Sequence, residues 1–184
     1  MLKKLTYLSL FLLLVGCSSS PYTYYNKSIP IQKGITKYNL KEVTVNLSLG
    51  HGAIENDTSF ASQEELKKQF TDALEKYLKE KSIFDAGISA NSIGVSVNID
   101  YLRTFNWGGK ALNKPEISHA VFVSKGNTKL ASFGRSRYTT KYAYFKNVAV
   151  GFKIASFKWG ADDELKDVDL ISKLIIDDLS ELGK

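Results

Sequence analysis

The chain has 184 residues, a formal net charge of +6 and a single cysteine. This length suits one ordinary domain with a hydrophobic core that needs no disulfide bonds. A lone cysteine excludes an internal disulfide framework, and we find no sequence repeat that would indicate a repeat protein.

The first element along the chain has the pattern of a secretory signal. Lys3 and Lys4 precede a mainly apolar run from Leu5 to Val15. A basic start followed by a short apolar run is typical of signal peptides, and this run is shorter than the ~20 apolar residues that span a bilayer. We therefore expect residues 1–16 to be a signal peptide.

The letters LVGC at residues 14–17 resemble the cleavage box of bacterial lipoproteins. The resemblance implies cleavage before Cys17, whose thiol then carries diacylglycerol and whose amine is usually acylated. Thiol chemistry suits this role because a thiolate is a strong nucleophile. Ser18 stands where aspartate marks inner-membrane retention in Gram-negative lipoproteins, so an outer-membrane location is expected if the source is Gram-negative. The alternative is an unmodified cysteine after a chance apolar run.

A basic net charge often indicates nucleic-acid binding, but in an exported protein it indicates other anionic partners. An exported lipoprotein rarely meets nucleic acid, so we expect no nucleic-acid partner. Phospholipid headgroups, lipopolysaccharide and cell-wall polymer are the anions of an envelope. The membrane itself, reached through the lipidated Cys17, is the first expected partner.

Residues 17–40 predict a lipidated cysteine followed by a flexible tether, because the segment is polar and contains two prolines and a glycine. Tyr22, Tyr24 and Tyr25 are unusual in a tether. They fit tyrosines that lie near lipid headgroups, or a segment that binds a partner. The single folded domain is then expected over residues 41–184.

The domain begins with a strand and a helix. Apolar residues alternate with polar ones over residues 42–49, which predicts a half-buried strand: Val43, Val45, Leu47 and Leu49 share one face. Ser62 and Glu65 form a capping-box pattern, which predicts the start of a helix. Its apolar residues recur at helical spacing over residues 66–78.

Three further strands and a helix follow. Residues 93–101 alternate as a second strand, and residues 117–138 predict a hairpin that turns at Gly126 and Asn127. A final amphipathic helix is expected from Asp162 or Asp163 to Leu182.

Residues 142–159 are rich in aromatic residues and lysine. We favour a strand or broken strand there, with a membrane-lying segment or a subunit contact as alternatives.

These elements predict an α+β, two-layer sandwich. A mostly antiparallel sheet of four to five strands would carry two amphipathic helices on one face. The order of elements over residues 42–182 is similar to that of small bacterial envelope lipoproteins with a domain like the amino-terminal domain of TolB. That resemblance implies a role in protein assemblies and supplies no catalytic residue.

The sequence contains no recognisable catalytic pattern. His51 and His119 lack the additional ligands that a metal site needs, so we expect neither a metal nor a cofactor. No nucleophile elbow, phosphate loop or dinucleotide fingerprint is present. Asp100 and Glu116 fit exposed strand residues better than a catalytic carboxylate pair. The chain is therefore predicted not to be an enzyme.

Charge is segregated along the sequence. Residues 117–161 contain no acidic residue, whereas the final helix is strongly acidic. The two regions can neutralise each other, or the basic region can form a contact face rich in arginine and tyrosine, which are favoured at interfaces. The candidate contact residues are Arg135, Arg137, Tyr138, Tyr142 and Tyr144.

The sequence therefore predicts a non-enzymatic outer-membrane lipoprotein. Its domain would bind another envelope protein or self-associate. The alternative is a carrier or sensor of an anionic glycolipid or cell-wall fragment, bound between the sheet and the helices.

Overall fold

The computed structural model describes residues 20–26, 28–54, 57–87, 92–106 and 111–183. Cys17 and the predicted signal peptide lie outside these residues. The strands are β1 (Thr23–Tyr24), β2 (Tyr38–Leu49), β3 (Ile93–Arg103), β4 (Glu116–Lys125) and β5 (Thr128–Tyr138). The helices are α1 (Gln63–Glu80), α2 (Tyr144–Ala155) and α3 (Ala161–Ser180).

The strands form one sheet in the order β1-β5-β4-β3-β2. β2 and β3 are parallel neighbours joined through α1, and the other three pairings are antiparallel.

The predicted hairpin is confirmed: β4 ends at Lys125, β5 begins at Thr128, and Gly126 has a φ of 57°. A positive φ is the conformation that glycine adopts at little cost.

The core lies between one face of the sheet and the helices α1 and α3. The predicted alternation in β3 is confirmed, since Val95, Val97 and Ile99 are fully buried. Asn98 and Asp100 face solvent on the opposite side of the sheet. The predicted two-layer α+β fold is therefore confirmed, with α1 and α3 on one face of the sheet.

The capping box predicted at the start of α1 is present. The side-chain oxygen of Ser62 accepts a hydrogen bond from the backbone N–H of Glu65 (3.2 Å). The Glu65 carboxylate in turn accepts one from the backbone N–H of Ser62 (2.7 Å). These bonds satisfy two amides that the first turn leaves without helical partners.

The flexible tether predicted over residues 17–40 is wrong for the described part of that segment. β1 pairs with β5, and Ile31 is buried in the core. The ring of Tyr22 packs edge-on against Phe133, with 5.5 Å between centroids. Its hydroxyl donates to the backbone oxygen of Asp178 (2.8 Å). Tyr22 thus belongs to the domain instead of lying among headgroups.

The strand favoured for residues 142–159 is also wrong, because the segment contains α2. Ala143 precedes this helix without a side-chain capping bond, and its first turn holds no acidic residue. Both usual helix-start signals are therefore missing, and aromatic and β-branched residues are common in strands. The four-residue spacing of Tyr144, Val148 and Phe152 is the helical signal that favouring a strand overlooked.

Candidate functional site

The most unusual surface of the described domain is on α2. Four of its side chains and one that follows it form what we call the aromatic helix surface. Its members and their exposed fractions are Tyr144 (77%), Phe145 (86%), Val148 (45%), Phe152 (72%) and Phe157 (56%). Together they expose on the order of 500 Å² of mainly apolar surface. A patch of this size equals the largest on a typical monomer, which is often functional.

The opposite side of α2 is held by a second, smaller core. Val150 is buried there with Phe105, Leu112, Tyr142 and Trp159. The side chain of Asn106 also donates to the backbone oxygen of Ile154 (2.6 Å). These contacts fix the helix at the end of the sheet where β3 finishes. The exposed rings therefore project from a helix that is packed on the domain.

A buried carboxylate joins this smaller core to α3. The Tyr142 hydroxyl donates to one oxygen of Asp167 (2.7 Å), and the indole Nε1 of Trp159 donates to the other (3.3 Å). Burial raises the pKa of Asp167 above its usual range, although both bonds favour the carboxylate. Asp167 is therefore a buried acid of α3 that organises the loop preceding α2.

The predicted contact face does not exist as one surface. Tyr142 is only 9% exposed, so its assignment to that face is wrong. Tyr144 is exposed and belongs to the aromatic helix surface. Tyr138 is partly buried, and its hydroxyl oxygen lies 2.7 Å from Nδ1 of His119.

The two arginines of the predicted face have acidic partners within the chain. Arg135 makes a two-pronged contact with the carboxylate of Asp178 on α3, at 2.8 and 3.1 Å. Arg137 contacts Glu116 at 3.2 Å. Neutralisation between the basic hairpin and the acidic helix is therefore observed at Arg135. The aromatic helix surface on α2 is therefore a stronger candidate contact site than the two arginines.

The other candidates also receive places in the fold. His51 lies in an exposed turn, and Asp100 accepts a hydrogen bond from Asn46 on the open face of the sheet (2.9 Å). His119 is buried on β4, opposite Arg135 of β5 in the strand register. Within the described residues, no three histidine, cysteine or acidic side chains form a group that could hold a metal ion.

Acid is expected to destabilise the domain through His119. Burial and the neighbouring charge of Arg135 lower the pKa of His119 to about 4, against 6.5 for an ordinary histidine. The neutral ring therefore contributes stability that is present above about pH 6.5 and is lost as the pH falls toward 4. The loss amounts to about 3 kcal/mol, since one pKa unit corresponds to ~1.4 kcal/mol.

Urea unfolding across this range tests that expectation. His119→Gln keeps a hydrogen-bond acceptor for Tyr138 and should flatten the curve of unfolding free energy against pH. The matched control, His51→Gln, should retain the curve of the unaltered protein. Equal curves for the two variants would show that His119 is not the responsible group.

A small cavity lies between the end of β5 and α3. Its volume is about 150 Å³, and Arg135, Tyr138, Lys141 and Leu174 contribute to its walls. A cavity of this size holds a molecule such as benzene. It is too small for the acyl chains of a glycolipid, so it lends no support to the predicted carrier role.

Comparisons with known proteins do not assign the chain to a family. No protein-family model matches it, and no curated protein does. A solved structure described as "Crystal structure of uncharacterized protein" is similar over 76% of this chain and 99% of that chain. The identity is 10% and the TM-score is 0.24, so this similarity carries no argument. Among the described helices, none is long and apolar enough to cross a membrane.

Proposed function

We propose that this chain is a lipid-anchored protein of the bacterial envelope that acts by binding and has no catalytic activity. The predicted anchor is Cys17, and the binding surface is the aromatic helix surface. The observation that carries the proposal is the exposure of Tyr144, Phe145 and Phe152 on a helix whose other side is packed. An exposed apolar patch of this size is often a functional contact surface.

The proposed class, a lipid-anchored binding protein of the envelope, is the one expected from the sequence. The proposed contact residues are different, because they lie on α2. Another envelope protein, a second copy of the chain and a lipid surface are the occupants to be distinguished. Arg135 pairs with Asp178, whereas Tyr144 and Phe145 on α2 pack edge-on against each other at 5.5 Å and stay mostly exposed. The binding residues are therefore those of α2.

Photo-crosslinking in native envelopes tests the proposal. A photoreactive residue at Phe145 should form crosslinks to an envelope component. The same residue at Asn98, which is exposed on the open face of the sheet, is the matched control and should form few. Crosslinks at Phe145 should decline in Cys17→Ala, which removes the predicted lipidation site. Equal crosslinking at both positions would contradict the proposal.

A further inference from the structure

We infer that the aromatic helix surface lies on the anionic surface of the bilayer that holds the lipid anchor. This inference rests on the proposed function and names the occupant of its binding surface. α2 would lie parallel to the membrane with its exposed rings at the depth of the headgroups. The domain would then contact the membrane twice, through Cys17 and through α2.

The arrangement of side chains on α2 is the first support. Tyr144, Val148 and Phe152 follow one another at four-residue spacing, and Phe145 lies beside them on the helical wheel. Val150 and Ile154 occupy the side that packs on the domain. An exposed stripe of apolar side chains therefore runs along the helix from Tyr144 to Phe152. Helices that lie in the membrane interface bury such a face at the boundary of headgroups and acyl chains.

The charge around α2 is the second support. Lysines lie before, within and after the helix, and residues 117–161 contain no acidic residue. They are Lys141, Lys146, Lys153 and Lys158. Lysine is depleted at protein–protein interfaces, whereas interfacial helices combine lysine with phenylalanine or leucine. The composition therefore favours an anionic lipid surface over a protein partner.

Not all of these lysines are neutralised within the domain. Lys153 pairs with Asp163 at 3.2 Å, and the ammonium of Lys146 lies 5.1 Å from the ring centroid of Tyr142. In the described part of the chain, the ion pairs do not include Lys141, Lys146 or Lys158. Each lysine near an anionic membrane strengthens binding about fivefold.

The direction of β1 is the third support. Thr23 is paired with Ser132 in an antiparallel register, so residues preceding Thr23 lead toward the end of β5. The packing of Tyr22 on Phe133 follows that direction. α2 begins shortly after β5 ends at Tyr138. The chain from Cys17 to Thr23 reaches at most about 20 Å, comparable to the distance along β5 from Ser132 to its end. The anchor and α2 can therefore meet the same membrane.

Phe157 is the fourth support. It has a φ of 57°, a left-handed conformation in which glycine is strongly preferred. It ends α2 in a Schellman motif: its N–H donates to the Ile154 oxygen (3.0 Å), and the Lys158 N–H donates to the Lys153 oxygen (2.8 Å). An exposed aromatic side chain at this strained position costs stability and fills no core. It is accounted for by a role at the surface.

The test uses the acylated full chain in vesicles. Lipidation occupies Cys17, so Val148→Cys introduces the free thiol for an environment-sensitive fluorophore at the centre of the surface. In vesicles containing anionic phospholipid, the label should be shielded from water and quenched by lipids that carry a quencher at headgroup depth. A label at Asn98→Cys should stay exposed. The shielding should be weaker in vesicles made only of zwitterionic lipid or at high salt.

Two substitutions separate surface from structural effects. Lys146→Glu with Lys158→Glu should reduce the ratio of shielded to exposed label about tenfold or more, given the attraction per lysine. Lys37→Glu with Lys67→Glu changes the net charge equally and should have little effect. Phe157→Gly should raise the melting temperature and yet reduce shielding, a combination that a purely structural role of Phe157 does not produce.

The outcomes separate this inference from the proposed function. Shielding at Val148 in anionic vesicles supports both. An exposed label in vesicles, together with crosslinks from Phe145 to a protein in native envelopes, overturns the membrane inference and leaves the proposed function standing. An exposed label in vesicles with no specific crosslink in envelopes overturns both.

Discussion

Replacing Arg103 by methionine is expected to lower the free energy of unfolding by about 3–5 kcal/mol at neutral pH. Arg103 is 5% exposed and holds both carboxylate oxygens of Glu164, at 2.7 and 2.9 Å. It also donates to the backbone oxygen of Ala61 (2.7 Å). Methionine fills much of the space but leaves Glu164 as a buried charge without a counter-ion.

The pH dependence of this loss follows from Glu164. Burial raises the pKa of Glu164 above its usual range, although Arg103 acts to lower it. Without Arg103 the pKa rises further. A raised carboxyl pKa means that the protonated form favours the native state, so stability is gained as the pH falls through that pKa. The deficit of Arg103→Met relative to the unaltered protein should therefore shrink at about pH 5.

Urea unfolding of both proteins at the two pH values measures this. Arg137→Met is the matched control, because Arg137 is 81% exposed in its pair with Glu116. Its effect should stay within about 1 kcal/mol, as for most surface ion pairs. A deficit of Arg103→Met that is equally small would show that the Arg103–Glu164 pair does not hold β3 to α3.

The buried ion pair shows what the sequence pattern could predict. More and less buried residues alternate along β3 from Val95, and the buried face that includes Ile99 and Tyr101 continues to Arg103. Continued by two residues, the alternation predicted over residues 93–101 places the charged Arg103 on the core side. Its partner Glu164 could not be predicted in the same way. Glu164 lies in the first turn of α3, where an acidic residue is already explained by its favourable interaction with the helix dipole. Burial of Glu164 depends on β3, which is distant in sequence.

The core elements were predictable because their signals are local. Alternation in β3 and the capping box of α1 each involve neighbours in sequence, and both are confirmed. β1 and α2 depend on distant contacts. Thr23 becomes a strand residue only because Ser132 pairs with it, and α2 is stabilised by Trp159 and Leu112 instead of by a cap. The candidate site lies on the element whose local signals were weakest.

Replacing Trp159 by alanine is the second substitution expected to have a large effect, about 3–5 kcal/mol on the free energy of unfolding. Trp159 is 1% exposed, packs edge-on against Tyr142 at 6.1 Å and donates to Asp167. Its backbone oxygen accepts from Leu112 (2.7 Å). Since the second core is small, loss of the indole should also release α2 from the domain.

Limited trypsin digestion alongside thermal unfolding detects both effects. Trp159→Ala should lower the melting temperature and speed cleavage at Lys146 and Lys153, which lie within α2. Phe152→Ala removes an aromatic ring from the same helix, but that ring is 72% exposed and should be nearly neutral for stability. The difference in stability between these two variants also tests whether the ring of Phe152 is free for binding. If Phe152→Ala destabilised the domain as strongly as Trp159→Ala, its ring would belong to the core, and the aromatic helix surface would lose one of its central members.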